Sequence, residues 1–268
     1  MPTKRGLGLT VLFLFFGLLL AVSSAAIPET ANQQKTLHSY GELPLYFVEN
    51  QGQLDAKVQF YVKTAAQTLY FTDEGIVFDL LRQTAPATAD AQAKNERLVF
   101  NLGFEKADKQ VTIKGIERQA AAINYFVGPQ SNWKTDIPTY KGIIYKEVYP
   151  GIDLKIFGNG QDIEYEFIVN PGVDPNQILL TYNGIKGLKT SSQGELLINT
   201  SFGEFKETRP YIYQTIAGVK EVAGSFVLHN AVNNSQPGKF SYGFQVASYN
   251  TTYPLIIDPT LSYSTYLG

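Results

Sequence analysis

Three acids alternate with three apolar residues in one short run: Asp162, Glu164 and Glu166 against Ile163, Tyr165 and Phe167. On a strand, the acids share one face and the apolar residues the other. Successive acids then lie ~7 Å apart, because each residue advances the strand by ~3.3 Å. Two carboxyls at that separation fit the acid and base of an inverting glycoside hydrolase. Any half-exposed strand shows the same alternation, so an ordinary strand with a solvated acidic face is the favoured reading.

Other residues capable of chemistry are sparse. Pro150-Gly151-Ile152-Asp153 and Pro171-Gly172-Val173-Asp174 repeat one pattern. Calcium bound through Asp153 and Asp174 would need about six oxygen ligands, and the pattern shows only two side chains. Pro-Gly suits the centre of a type II turn, which explains the pattern without a metal. The two histidines, His38 and His229, stand alone, and no Gly-x-Ser-x-Gly elbow supplies a serine nucleophile. Trp133 follows the polar stretch Gly128–Asn132. It could stack on a sugar ring, but plugging the edge of a core is the commoner use and the one expected here. With no cysteine, thiol catalysis, disulfides, Cys-type zinc sites and iron–sulfur ligation are excluded. No catalytic residue, metal ligand set or cofactor is assigned. The candidate ligand contacts are Asp162, Glu164, Glu166 and Trp133.

The elements that must position these residues are strands. Tyr and Phe each number 17, and charged residues are only 17% of the chain, a composition that suits half-buried pleated sheet. Short apolar, β-branched and aromatic runs recur, separated by Gly, Pro, Asn and Asp. They include Lys57–Lys63, Thr68–Thr72, Ile76–Leu81, Arg97–Phe104, Ile152–Phe157, Ile163–Val169, Tyr211–Ile216 and Phe240–Ala247. Asn50-Gln51-Gly52 and Asp73-Glu74-Gly75 mark turns, and residues 83–95 read as an exposed loop. One helical turn is expected at Ala120–Phe126, from three consecutive alanines. The pattern predicts an all-β, mostly antiparallel, β-sandwich-like module with little helix. It spans 41–258, and its length also allows two packed halves, 41–134 and 135–258.

The N-terminus reads as an address. Lys4 and Arg5 precede an apolar run from Leu9 to Val22, and Ser24-Ala25-Ala26 supplies a cleavage site after Ala26. Residues 1–26 are therefore expected to be a signal peptide, 27–40 a flexible lead-in, and the mature chain secreted or cell-surface, with no further membrane span. Removing Lys4 and Arg5 takes the net charge from −2 to −4. No basic stripe remains to bind nucleic acid. Surface glycans or other surface proteins are the candidate partners.

Several longer stretches, taken in order, carry a resemblance. They are Leu43-Pro44-Leu45-Tyr46-Phe47-Val48-Glu49-Asn50-Gln51-Gly52-Gln53, Asn124-Tyr125-Phe126-Val127-Gly128 and Trp133-Lys134-Thr135-Asp136-Ile137-Pro138-Thr139-Tyr140. Then follow Val148-Tyr149-Pro150-Gly151-Ile152-Asp153-Leu154, Glu164-Tyr165-Glu166-Phe167, Pro171-Gly172-Val173-Asp174-Pro175 and Pro254-Leu255-Ile256-Ile257-Asp258-Pro259. With them, the mature chain resembles the N-terminal domain of unknown function of bacterial SBBP-repeat (β-propeller repeat) surface proteins. The resemblance implies an exported β module with a structural, adhesion or interaction role, placed ahead of propeller repeats, and no catalytic residues. Carbohydrate binding or carbohydrate chemistry is the alternative. The resemblance also implies that 259–268 opens the repeat region, where this sequence stops.

Overall fold

A computed structural model describes residues 45–64, 67–84, 94–107, 111–159, 162–229 and 238–262. His38 and the segments expected to be a signal peptide, 1–26, and a lead-in, 27–40, lie outside them. Among the described residues every strand pairing is antiparallel. Among the same residues helix is limited to two three-residue 3-10 turns, Gln130–Asn132 and Pro175–Gln177. The all-β, mostly antiparallel reading holds.

The chain opens with β1 (Phe47–Glu49), β2 (Phe60–Lys63), β3 (Gln67–Thr72), β4 (Gly75–Thr84) and β5 (Lys94–Phe104), each paired with the next. A second series follows as β6 (Thr112–Tyr125), β7 (Lys134–Tyr149), β8 (Ile152–Asn159) and β9 (Asp162–Val169). The remaining strands are β10 (Leu180–Asn183), β11 (Gly187–Thr190), β12 (Leu196–Thr200), β13 (Gly203–Glu207), β14 (Tyr211–Thr215) and β15 (Val219–Glu221). After them come β16 (Gly224–His229), β17 (Lys239–Val246), β18 (Leu255–Asp258) and β19 (Thr260–Ser262).

Pairing sorts them into two arms. In the first, β1 to β5 run on through β10 and β17 to β16. In the second, β9 takes β18 and β19 end to end along one edge. From there β18 continues to β14 and β15, and β19 to β13, β12 and β11. β1 links the arms, because it pairs with both β2 and β7. The arms interleave along the sequence: β10, β16 and β17 cross to the first arm, so a cut near residue 134 divides neither cleanly.

Strand alternation drives the arms together. In β8, Ile152, Leu154 and Ile156 are buried; in β9, Ile163, Tyr165, Phe167 and Val169 are. Aromatic rings close the gap between arms. Phe100 of β5 meets Phe205 of β13 at 5.9 Å, Phe104 of β5 meets Tyr145 of β7 at 5.3 Å, and Phe167 of β9 meets Phe244 of β17 at 5.9 Å. Each such ring removes a large apolar area from water and adds edge or offset ring attraction.

Two sequence expectations change. Ala120, Ala121 and Ala122 lie in β6, with Ala122 opposite Pro138 and Ile123 opposite Ile137. Cross-strand pairing in a long hairpin outweighs the weak helical preference of three alanines. The ladder also runs past Asp258: Thr260 pairs with Glu164, and Glu207 pairs with Leu261. Pro259 lacks an N–H and interrupts the strand at one position only.

Candidate functional site

The carboxylates singled out from sequence sit where strand periodicity puts them. Glu164 and Glu166 occupy the outer face of β9, half-buried, opposite the buried Tyr165 and Phe167. Asp162 starts the same strand, and its side chain lies outside the described part. Glu164 accepts a hydrogen bond from Asn159 Nδ2 at 2.8 Å. Glu166 pairs with Lys155 at 3.5 Å, and the same ammonium stands 4.5 Å above the Phe157 ring.

A third carboxylate joins them that the strand pattern did not reveal. Asp258 ends β18, one position beyond Ile257, which faces Phe167. Its Oδ1 is buried without a hydrogen-bond partner. Burial first, then the charges of Glu166 and Glu164, push the Asp258 carboxyl up to about 6, against the opposing pull of Lys155. A carboxyl raised in the folded state stabilises most below its unfolded pKa and loses that contribution as pH rises through the folded one. The window here runs from about pH 4 to about pH 6. Asp258→Asn is therefore expected to stabilise the fold by about 1 kcal/mol above pH 7, after discounting for solvent screening, and by nothing below pH 4. Urea unfolding at pH 4 and pH 8 checks this; an equal difference at both would refute it.

Asp153 and Asp174 are engaged by local groups. Asp153 Oδ1 accepts from the Glu147 amide at 2.8 Å, and Oδ2 pairs with Lys146 at 2.6 Å. This pins a bulge in β7 where Glu147 takes a φ of 51°. Asp174 caps the Pro175–Gln177 turn, accepting from the Asn176 amide at 3.0 Å and from Asn176 Nδ2 at 2.7 Å. Gly151 and Gly172 adopt φ values of 74° and 76°, the left-handed positions a Pro-Gly turn requires. Among the described residues no three His, Asp or Glu side chains converge as a metal site. His229 ends β16, exposed.

Trp133 is not a core plug. It lies at the tip of the β6–β7 hairpin, 44% exposed, with Nε1 donating to the Gly128 carbonyl at 3.2 Å. Its ring meets Phe126 edge-on at 5.0 Å and 63°. Phe126 and Val127 are 56% and 58% exposed, so three large apolar side chains are exposed at one hairpin tip. The hairpin below is locally reinforced: Asn124 Oδ1 accepts from the Asp136 amide at 3.0 Å, and Thr139 Oγ1 donates to the Ala121 carbonyl. The sequence signal was present in Phe126-Val127, but only the hairpin pairing brings it to Trp133.

The polar group sequence reasoning missed is Glu207. It faces inward from β13 and is fully buried. Tyr182 and Tyr242 donate to its Oε1 at 2.6 and 3.1 Å, and Tyr165 donates to its Oε2 at 2.7 Å. Burial raises the Glu207 carboxyl above its ordinary range, and the three tyrosine hydrogen bonds oppose that rise. The phenols come from β9, β10 and β17, so one carboxyl ties strands of both arms together. Fully buried and hydrogen-bonded at both oxygens, it is a structural knot.

The first stretch of the resemblance has a similar role. Asn50 Nδ2 donates to the carbonyls of Asp55 and Val58 at 2.9 and 2.7 Å, and its Oδ1 accepts from the Gly52 and Leu54 amides at 3.0 and 3.1 Å. Gln53 Nε2 returns to the Glu49 carbonyl at 2.7 Å. Glu49-Asn50-Gln51-Gly52-Gln53 thus builds the loop between β1 and β2.

No curated protein and no solved structure matches the chain. Residues 47–260 match a family described as Domain of unknown function (DUF7948). The match takes in nearly every described strand, both carboxylate groups and the aromatic tip, and the chain therefore belongs to this DUF7948 family of unknown function.

Proposed function

We propose that the chain is an exported, non-catalytic interaction module that meets a surface partner through the tip of the β6–β7 hairpin. The observation that carries this reading is that Phe126, Val127 and Trp133 are all exposed at the same hairpin tip. Exposed aromatics of this kind are enriched at the centres of protein interfaces. Burying them against a partner would return about 25 cal/mol per Å² of apolar surface. The edge-to-face arrangement of Phe126 and Trp133 offers a notch, not the flat platform on which a sugar ring stacks. That favours a protein surface over a glycan at the tip.

Export is supported by Lys4 and Arg5, the apolar run and Ser24-Ala25-Ala26, with cleavage after Ala26. The resemblance supports a bacterial surface setting, ahead of propeller repeats. Against catalysis by Glu164 and Glu166 stands their occupation by Asn159 and Lys155.

Binding of residues 27–268 to cell envelopes of the source organism tests the reading. Trp133→Ala combined with Phe126→Ala is expected to weaken binding at least ~10-fold, equal to ~1.4 kcal/mol, with little change in melting temperature. Undiminished binding would remove the tip from the reading. Hydrolysis of a glycan, lost in Glu164→Gln or Glu166→Gln, would replace the module by an enzyme.

A further inference from the structure

A cleft of ≈ 890 Å³ opens where β5, β10, β16 and β17 meet the Pro150 turn and the Pro175–Gln177 turn. Its volume falls within the range of small-molecule sites. Lys106 and His229 reach it from the ends of β5 and β16, and Ser241 from β17. Asn176 and Gln177 line it beside an apolar floor that includes Leu179 and Leu228. None of its described lining residues is acidic, although the chain as a whole carries a net negative charge. The nearby Glu105 is held by Lys239 at 2.7 Å. Lys106 has no acidic partner among the described residues and adopts a φ of 58°, an uncommon conformation for a side chain of its size.

The polar groups of the cleft are sorted by what they can still offer. Asn176 Nδ2 and Gln177 Nε2 donate to Asp174 Oδ1 and to the Asp174 carbonyl, at 2.7 and 3.2 Å. Their side-chain carbonyls remain as acceptors for hydroxyl donors. The Tyr149 hydroxyl donates to the Leu179 carbonyl at 2.7 Å and accepts from the Leu179 amide at 3.2 Å. That fully used hydroxyl fixes the floor and does not compete for a ligand. A matching ligand therefore carries an anionic group for Lys106, hydroxyls for two amide carbonyls, and a C–H face for the floor. A sugar acid combines all three in one small unit.

We propose that this cleft binds an acidic saccharide, its carboxylate held by the Lys106 ammonium and its hydroxyls by Asn176 and Gln177. The site goes beyond the hairpin-tip reading and does not depend on it. A charge-assisted contact of this kind is stronger than a neutral hydrogen bond and weakens with salt.

Calorimetric titration of residues 27–268 with trigalacturonate, a hyaluronan tetrasaccharide and sialyllactose tests the proposal. At least one is expected to bind, with its methyl ester at least ~10-fold weaker. Lys106→Ala is expected to cost a similar factor, and Lys106→Glu to abolish binding, both without loss of melting temperature, since Lys106 is exposed and has no salt-bridge partner among the described residues. Trp133→Ala should leave this binding unchanged, which separates the cleft from the tip. The proposal is overturned if none of the three sugars binds, if acid and ester bind alike, or if Lys106→Ala binds as tightly as the parent.

Discussion

Glu207→Ala is expected to destabilise the fold by about 3–5 kcal/mol, among the largest effects any single side chain here should have. The substitution leaves the hydroxyls of Tyr165, Tyr182 and Tyr242 buried with their shared acceptor gone. Each stranded donor costs about 1–3 kcal/mol, and the lost side chain leaves a cavity between the arms. Tyr165 and Tyr242 retain a 3.5 Å contact with each other, which recovers part of the loss. Glu207→Gln keeps the shape and an acceptor oxygen, and its loss should stay below ~1.5 kcal/mol at pH 5. The two variants separate hydrogen bonding from charge. Because the folded carboxyl is raised, its contribution to stability is fullest below the ordinary glutamate range and is lost as pH rises through the folded value. Gln cannot ionise, so the variant should lack this slope and gain on the parent toward alkaline pH. Urea midpoints across pH 4 to pH 8 measure both effects. An alanine variant within ~1 kcal/mol of the parent would show that the tyrosines find other partners and that the knot does not tie the arms.

Gly75→Ala is expected to cost about 3 kcal/mol or more. Gly75 opens β4 with a φ of 146°, and a Cβ built on it would lie 2.1 Å from the Leu102 carbonyl oxygen and 2.9 Å from the Gly103 Cα. Both are backbone atoms of β5, held by the long β4–β5 ladder. No rotamer change relieves such a clash; the ladder itself must shift. Gly172 is the internal control. It has a similar need for positive φ, at 76°, but nothing lies within 4 Å of its Cβ position. Gly172→Ala should therefore lose only the backbone contribution, about 1 kcal/mol. Thermal unfolding of the two variants side by side reads the difference. Equal losses would mean that β5 yields freely at Leu102, contrary to its place in the β4–β5 ladder.

Much of the architecture was legible from the chain. Alternation in Ile152–Phe157 and Ile163–Val169 located β8 and β9 and assigned their inner and outer faces, because side-chain direction along a strand repeats every second residue. The Gly and Asn turn signals found Asp73-Glu74-Gly75 and the Pro-Gly turns, where the local backbone alone selects the residue. Those features depend on near neighbours. The sequence reading missed β6, β11 and β13, whose residues are too polar or too irregular for a two-residue period to show. β6 lies largely exposed along a hairpin, and β13 carries Glu207 on its inner side.

What only the tertiary structure decided is which distant residues meet. Glu207 looks like one more charged position beside Lys206 and Thr208; burial between two arms makes it the acceptor of three phenols. Asp258 reads as the acid before a proline; its raised carboxyl follows from lying beside Glu166 and Glu164 across the β9–β18 edge. Trp133 suits a core edge by composition, and the hairpin holds it in solvent against Phe126. Residue type and period set local direction, but burial, desolvation and partner choice are sums over contacts far apart in the chain, so they exist only once the arms have closed.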